Sequence, residues 1–225
     1  MKKVIMFLLL AVIVASTSAV ITSCSSDDDE QVEIYQLKLK VGETCNFKYQ
    51  EGLGLTSEND FVATVVNGTQ VKALHIGKTV IRSSNLIINA EVYSDYNLFK
   101  EPFIKFGGSK NDVKNYEFRT LEKETDTELY YKGSSWAFAY GLVYGFTDDG
   151  KLNAVLVMFN HNYDTTISRN LWKYFSDSYL PISISGTKSY FLNNEKDKAD
   201  VLIVLDLFVP NYDGWGQIAY MPYNN

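Results

Sequence analysis

Three segments of the chain are apolar on both faces of a strand, and they constrain its fold more than any other feature. They are residues 136–146, 152–158 and 201–207. Successive side chains of a strand point to opposite faces, so a strand that avoids charge on both faces belongs in the centre of a sheet. Asp148-Asp149-Gly150 predicts a tight turn that joins the first two segments into a hairpin. We therefore expect a sheet with these three segments as central strands.

The two faces of the 136–146 segment differ in side-chain size. Trp136, Tyr140, Tyr144 and Phe146 share one face, whereas the other face carries only Ala, Gly and Val. Because small side chains let a helix approach a sheet closely, we expect helices on the small face. Two alternatives remain for the large face: it packs against a second buried layer, or it forms an aromatic binding surface.

Two helices are expected beside these strands. Ser109 is a candidate N-cap for a short helix, and Asp112 stands three positions later, as in a capping box. Ser168 is a candidate N-cap for a longer helix that ends before Pro181. Its apolar positions repeat at helical spacing and are Leu171, Trp172, Phe175 and Tyr179. Residues 94–225 are therefore predicted to form an α+β domain with an antiparallel sheet and two helices.

Residues 35–93 carry a different pattern of short strands separated by turn signals. Asn67-Gly68 lies between two apolar runs and favours a hairpin, because both residues tolerate positive φ. The segments Leu39 to Thr44, Val62 to Val65, Val71 to Leu74 and Gly77 to Ile81 resemble the group 2 bacterial immunoglobulin-like domain. This resemblance implies an immunoglobulin-like β-sandwich, a fold that surface proteins and adhesins use as a spacer.

The first residues of the chain resemble a bacterial lipoprotein signal. Met1-Lys2-Lys3 precedes an unbroken apolar run from Val4 to Val14, whose 11 residues are short of the roughly 20 needed to span a bilayer. Val20-Ile21-Thr22-Ser23-Cys24 then resembles the lipobox of that family. The resemblance implies that residues 1–23 are a cleaved signal peptide and that Cys24 carries the lipid anchor, a palmitate-type modification.

Residues 24–34 after the lipobox form a predicted acidic tether. The run Ser-Ser-Asp-Asp-Asp-Glu resembles the export signal of surface lipoproteins of the Bacteroidetes. This implies an outer-membrane protein that faces the cell exterior. The alternative is that the run directs sorting only to the inner leaflet of the outer membrane.

The charge of the predicted mature chain excludes one class of partner. Removal of residues 1–23 leaves 19 basic against 27 acidic residues. Nucleic acids and anionic membrane surfaces select basic patches, so neither is an expected partner of the folded body. The membrane is expected as a partner only through the anchor at Cys24. With Cys45 as the one remaining cysteine, we also expect no disulfide framework.

The sequence contains no recognisable catalytic, metal-binding or cofactor-binding motif, and we expect no enzyme activity and no cofactor. A glycoside hydrolase stays open as a lesser alternative, because carboxylates distant in sequence could converge at about 5 to 9 Å. The candidates are Asp148, Asp149, Asp177, Glu195 and Asp206. Asp206 is notable because it lies in an apolar strand and therefore needs a partner or an edge position.

The best candidate for a binding site is the loop that precedes the last strand. Its amide, acidic and aromatic side chains suit sugar recognition, although a plain turn would also explain them. The candidate ligand-binding residues are Asn211, Tyr212, Asp213 and Trp215, together with Trp136. We therefore expect a non-catalytic binding module for a glycan or an envelope protein. The alternative is a structural adhesin or assembly subunit with an apolar surface on the Trp136 strand.

Overall fold

The computed structural model describes residues 32–47, 54–96, 100–133, 139–160, 166–209 and 214–224. These residues are mostly β-sheet, with two helices and several antiparallel sheets. The chain divides into two compact units. Leu74–Gly77 and Tyr93–Asn225 form the second unit, and the rest of the described chain forms the first. No helix within the described ranges is long and apolar enough to cross a membrane.

The first unit contains two sheets around one apolar core. In order across the four-stranded sheet, the strands are β1 (Glu33–Lys40), β7 (Leu86–Tyr93), β6 (Gly77–Arg82) and β3 (Thr56–Ser57). In order across the three-stranded sheet, they are β2 (Thr44–Asn46), β5 (Gln70–Ala73) and β4 (Ala63–Val66). Side chains such as Val71 and Ile88 bring the two sheets together in this core.

The hairpin predicted in the first unit is confirmed. β4 and β5 pair antiparallel, and Asn67 and Gly68 between them have φ angles of 53° and 69°. Cys45 of β2 packs against the core as a half-buried free thiol, which agrees with its predicted core position. Burial raises the pKa of this thiol, which lowers its reactivity.

The second unit is built on one eight-stranded antiparallel sheet, whose order is β12-β13-β14-β15-β11-β10-β9-β8. The strands in chain order are β8 (Leu121–Glu124), β9 (Glu128–Lys132), β10 (Ala139–Phe146), β11 (Leu152–Asn160), β12 (Leu180–Ser185), β13 (Lys188–Leu192), β14 (Val201–Asp206) and β15 (Trp215–Pro222). The described parts of the predicted central segments lie in β10, β11 and β14, all in the interior of the sheet, whereas residues 136–138 lie outside the described ranges. That prediction is confirmed.

Two helices accompany this sheet, α1 (Lys110–Tyr116) and α2 (Ile167–Ser178). The capping box at the start of α1 is confirmed, because Ser109 accepts from the Asp112 N–H and Asp112 accepts from the Ser109 N–H. The N-cap of α2 lies two residues earlier than predicted. It is Thr166, without a side-chain cap bond, and Ser168 lies inside the helix.

Trp172 departs from the predicted apolar stripe of α2. Leu171 and Phe175 are fully buried, whereas Trp172 is 40% exposed. With about 100° of rotation per residue, Tyr174, Leu171 and Phe175 span the buried arc of α2, and Trp172 lies about 60° beyond Phe175.

The helices pack on the face of β10 with the large side chains, and the prediction of the small face was wrong. Leu142 and Tyr144 are buried in one core with Leu171 and Phe175 of α2 and Val113 of α1. The physical reason is area: burying aromatic and leucine side chains under a helix removes far more apolar surface from water than covering Ala and Gly. The small face of β10 is half-buried instead.

Tyr140 leaves the large face because the pairing of β10 with β11 is irregular at this point. Ala139 pairs with Phe159 and Gly141 pairs with Met158, so Tyr140 is an extra residue in β10. Such a bulge shifts the alternation of side chains by one position. Ala139 is therefore buried and Tyr140 is 71% exposed.

The face of the sheet opposite the helices, here called the open face, carries a row of aligned side chains. The row crosses six neighbouring strands and consists of Tyr130, Val143, Leu156, Ala219, Val204 and Tyr190. Every member is half-buried. The large face of β10 is covered by the helices. The question of a second buried layer or a binding surface therefore applies to the open face.

Candidate functional site

Two aromatic side chains meet at one end of the eight-stranded sheet. The ring centroids of Tyr140 and Trp215 are 4.7 Å apart, with an angle of 89° between the ring planes. Tyr140 lies near the start of β10, and Trp215 begins β15 and pairs with Asn160 at the end of β11. Trp215 is half-buried and Tyr140 is largely exposed. We call these two residues the aromatic pair.

The sequence around Trp215 fixes its position closely. Gly214 precedes it with a φ of 73°, a conformation that favours glycine. Gly216 follows on the helix-covered side, where an added Cβ would lie 2.2 Å from Cζ of Phe159. The backbone of Trp215 accepts from the Val209 N–H at 3.0 Å. Glycine at 216 therefore lets β15 lie against the Phe159 ring, with Trp215 at the start of this interior strand.

Polar side chains accompany the aromatic pair on the open face. Gln217 lies two residues after Trp215 and therefore shares its face. Across the sheet, Gln217 pairs with Met158, Met158 with Gly141, and Gly141 with Lys132. Gly141 has no side chain, which leaves space on the surface beside Tyr140. The arrangement combines apolar ring surface with an amide and an ammonium group, the mixture that orients a small ligand.

The structure places one of the predicted ligand-binding residues in this site. Trp215 is a member of the aromatic pair. Asn211, Tyr212, Asp213 and Trp136 lie outside the described residues, as does the predicted lipidation site Cys24.

Tyr140 was missed as a site residue because simple alternation assigns it to the same face as Tyr144. The two differ completely: Tyr144 has no exposed surface, whereas Tyr140 is 71% exposed. A signal for the difference is present in the sequence. An isolated glycine within a strand pattern, here Gly141, commonly marks a bulge.

Four of the five candidate carboxylates of a hydrolase are held by structural partners. Asp206 accepts from the Thr187 hydroxyl at 2.8 Å and the Phe208 N–H at 3.2 Å, and its other oxygen lies 3.6 Å from Lys188 Nζ. The prediction that this buried carboxylate needs a partner is confirmed. Asp148 and Asp149 lie in the turn between β10 and β11. Asp149 accepts from Thr147, Asp177 from Lys173 and Ser94, and Glu195 from Lys198.

A second group of polar residues lies on the helix-covered face. Glu117 and Arg119 form an ion pair at 2.7 Å, with side chains that are 0% and 3% exposed. The Tyr144 hydroxyl donates to Glu117 and accepts from the Phe103 N–H at 3.1 Å. Arg119 also donates to the Lys100 carbonyl at 2.8 Å. Through these hydrogen bonds, the ion pair and Tyr144 link β10 to the segments before and after α1.

Glu101 extends this group toward α2 and β15. Its carboxyl accepts from the Tyr174 hydroxyl at 2.6 Å and from the Tyr220 hydroxyl at 2.7 Å. Both tyrosines are buried, and burial raises the pKa of the Glu101 carboxyl above its usual range, although the tyrosine hydroxyls and Arg119 act in the opposite direction. We call Glu101, Glu117, Arg119 and the three bonded tyrosines the buried polar cluster.

Sequence reasoning missed the buried polar cluster, because no local pattern brings Glu101, Glu117 and Arg119 together. Their hydrogen bonds are made to one another, to tyrosine hydroxyls and to the backbone, so the cluster joins structural elements. Within the described residues, no group of three or more His, Cys, Asp or Glu side chains could hold a metal ion.

The comparisons with known proteins add no relative. No protein-family model, no curated protein and no solved structure matches this chain.

Proposed function

We propose that this protein is an outer-membrane lipoprotein that faces the cell exterior and binds a neutral glycan at the aromatic pair. The anchor is the lipid on Cys24, and the proposal for it rests on the lipobox resemblance. The observation that supports the binding function is the exposed Tyr140 ring held against Trp215. No catalytic step is part of this proposal.

The geometry of the aromatic pair suits the surface of a sugar ring. Pyranose rings present C–H groups on their faces and hydroxyls at their edges, so they stack on aromatic faces and hydrogen-bond around them. Two rings at 89° offer one surface for stacking and a second as a side wall. Because each ring restrains the other, little side-chain entropy is lost on binding.

The nearby polar groups and the charge of the chain favour a neutral sugar. The Gln217 amide and the Lys132 ammonium lie on the same face and can bond hydroxyls. The predicted mature chain carries 19 basic against 27 acidic residues, an excess of negative charge that disfavours association with polyanionic glycans.

The first unit is proposed to be a group 2 bacterial immunoglobulin-like β-sandwich that acts as a spacer. Two sheets around one core and the hairpin at Asn67–Gly68 support this assignment. The acidic tether and the spacer would together hold the second unit away from the membrane.

The binding function is tested with the full chain in detergent micelles on an array of neutral glycans. Loss of a stacking ring removes a central contact, so Trp215→Ala and Tyr140→Ala should each weaken binding at least about tenfold. Trp172→Ala is the matched control, because Trp172 is 40% exposed but lies on α2. Binding that survives both ring substitutions, or falls equally in the control, rejects the proposed site.

The location is tested separately by protease treatment of intact cells. We expect the wild-type chain to be degraded from outside and the Cys24→Ala chain to leave the membrane fraction. A wild-type chain that resists the protease until the outer membrane is broken would place the protein on the inner leaflet instead.

One observation favours a second function, that of a structural adhesin or assembly subunit. The open face carries the half-buried apolar row through Val143, Leu156 and Val204, which would suit a protein partner. Leu156→Asp should then abolish assembly with the envelope partner and leave glycan binding unchanged. The result distinguishes this function from glycan binding.

A further inference from the structure

The two edges of the eight-stranded sheet differ in their side chains. β8 carries Glu122, Lys123 and Glu124, all exposed, whereas β12 carries no charge. In β12, Ile182 and Ile184 are 45% and 67% exposed. Charged side chains are a common means by which an edge strand avoids pairing with another chain, and β12 lacks them.

Part of the β12 edge is arranged to pair. Pro181 has no N–H, and the pairing with β13 is irregular between Pro181 and Ser183, so pairing at the start of β12 is disfavoured. The regular stretch is Ser183–Ser185. It ends in a two-residue turn in which Gly186 has a φ of 60°, as in a type II′ hairpin.

The hairpin determines which backbone groups face outward. Ser185 pairs with Lys188 across the turn, and this closing pair is hydrogen-bonded in a two-residue hairpin. Hydrogen-bonded and non-hydrogen-bonded pairs alternate, so the next pair, Ile184 with Ser189, is of the second kind. The N–H and C=O of Ile184 therefore point away from β13, toward the outer edge.

We propose that β12 is a self-association edge, at which a second copy of this chain adds its own β12 in antiparallel orientation. A two-fold axis beside Ile184 lets the Ile184 N–H of each copy donate to the Ile184 C=O of the other. Two eight-stranded sheets then become one continuous sheet, which is an isologous contact.

The chemistry of the strand favours a second copy as the occupant. Antiparallel pairing about Ile184 places the two Ile184 side chains side by side and Ser183 opposite Ser185, with no charge in the contact. The same symmetric pairing of β8 would place Lys123 against Lys123 and Glu122 against Glu124. Of the two edges of this sheet, only the β12 edge can pair with its own copy without bringing like charges together.

The contact is short, so the association should be weak and concentration-dependent. A stable complex buries about 1,200–2,000 Å², more than three or four paired residues can supply. Two chains confined to one membrane surface would meet at a far higher effective concentration than in solution.

The experiment is sedimentation of the full chain in detergent micelles across the micromolar range. We expect a dimer whose fraction rises with concentration, and a dissociation constant at least about tenfold higher for Ile184→Lys, which brings two ammonium groups together. The matched control is Lys123→Ser on the β8 edge, which should leave the dimer unchanged. Unfolding curves of all three proteins verify that each is folded.

Hydrogen exchange provides a measurement on the unaltered chain. The Ile184 amide should exchange rapidly in the dilute protein and become protected as the concentration rises. A chain that is monomeric throughout the range, a dimer that survives Ile184→Lys, or an Ile184 amide indifferent to concentration would each overturn the proposal. Glycan binding can be present or absent in any of these cases, so the two tests are independent.

Discussion

The two faces of the eight-stranded sheet place similar side chains in opposite environments. β10 contributes Tyr144 to the helix-covered face, where its hydroxyl bonds Glu117 inside the buried polar cluster, and Tyr140 to solvent, where its ring meets Trp215. One extra residue in β10 separates these roles. On the covered face, the tyrosine hydroxyl forms a structural hydrogen bond. At the exposed end, the tyrosine ring provides contact surface. The same residue type therefore has a different role in each environment.

The energetic consequences of the two environments are also opposite. Charges on the covered face are kept from water, so each depends on its partner, and removal of one leaves the other unpaired. The aromatic pair keeps contact with water and can lose a ring without leaving an unpaired buried group. Substitutions on the covered face should therefore change stability, and those at the aromatic pair should change binding.

The largest expected effect comes from Arg119→Met. The substitution leaves the Glu117 carboxylate buried without its cation, which should destabilise the second unit by about 3–5 kcal/mol in urea unfolding. Lys198→Met removes one partner of the exposed pair with Glu195 and serves as the control, with little change expected. Equal effects of the two substitutions would contradict the importance of burial.

A smaller effect is expected from Gly216→Ala. The new methyl group must displace the Phe159 ring, at a cost of about 1–3 kcal/mol in unfolding free energy. Gly141→Ala is the control, because an added Cβ there meets the Tyr131 carbonyl oxygen at an ordinary 3.6 Å. If thermal unfolding shifts alike in both variants, close packing beneath Trp215 is not the reason for glycine at 216.

The two tyrosines of β10 provide a matched pair of hydroxyl deletions. Tyr144→Phe removes a donor to Glu117 and leaves the Phe103 N–H without its acceptor, so about 1–2 kcal/mol of stability should be lost. Tyr140→Phe should leave stability unchanged, because the hydroxyl of an exposed ring is already hydrated. A comparable loss in the two variants, measured by urea unfolding, would remove the distinction between the faces.

The most gradual effect is a dependence of stability on pH. The pKa of Glu101 is raised in the folded chain, so folding favours its neutral form, and stability should fall as pH rises from the usual carboxyl range through the raised pKa. One proton gives a slope of at most about 1.4 kcal/mol per pH unit.

The control for the pH dependence is Glu101→Gln, which cannot ionise and should flatten this part of the profile. The groups that face the Glu101 carboxyl are Arg119 and the hydroxyls of Tyr174, Tyr179 and Tyr220. A wild-type chain that instead gains stability over this range, relative to the variant, would show that Glu101 is ionised in the fold.

Local rules predicted the elements of this fold more closely than their packing. The charge-free segments predicted the central strands, Asn67-Gly68 predicted a hairpin, and Ser109 with Asp112 predicted the cap of α1. These predictions succeeded because each feature depends on residues that are neighbours in sequence. The face that receives the helices was predicted wrongly, since it depends on which side chains must be covered. The bulge at Tyr140 depends in turn on pairing with β11, a partner strand that no local pattern specifies.

The candidate site was predicted only in part for the same reason. Trp215 is visible in the sequence as an aromatic residue between two glycines. Its contact with Tyr140 joins residues 75 positions apart and depends on the bulge. Glu101 and Tyr220 are farther apart still, and only the assembled sheet brings them within hydrogen-bonding distance.

The position of β15 has a consequence for how this chain reaches its folded state. β15 follows every other described strand in the chain, yet it lies between β11 and β14 in the middle of the sheet. Until residues 215–222 arrive, the unit consists of two separate half-sheets, and Glu101 lacks one of its hydroxyl partners. Native pairing of this kind is slow because it closes long loops. A chain that emerges in order of synthesis would thus keep these two half-sheets unjoined until residues 215–222 emerged.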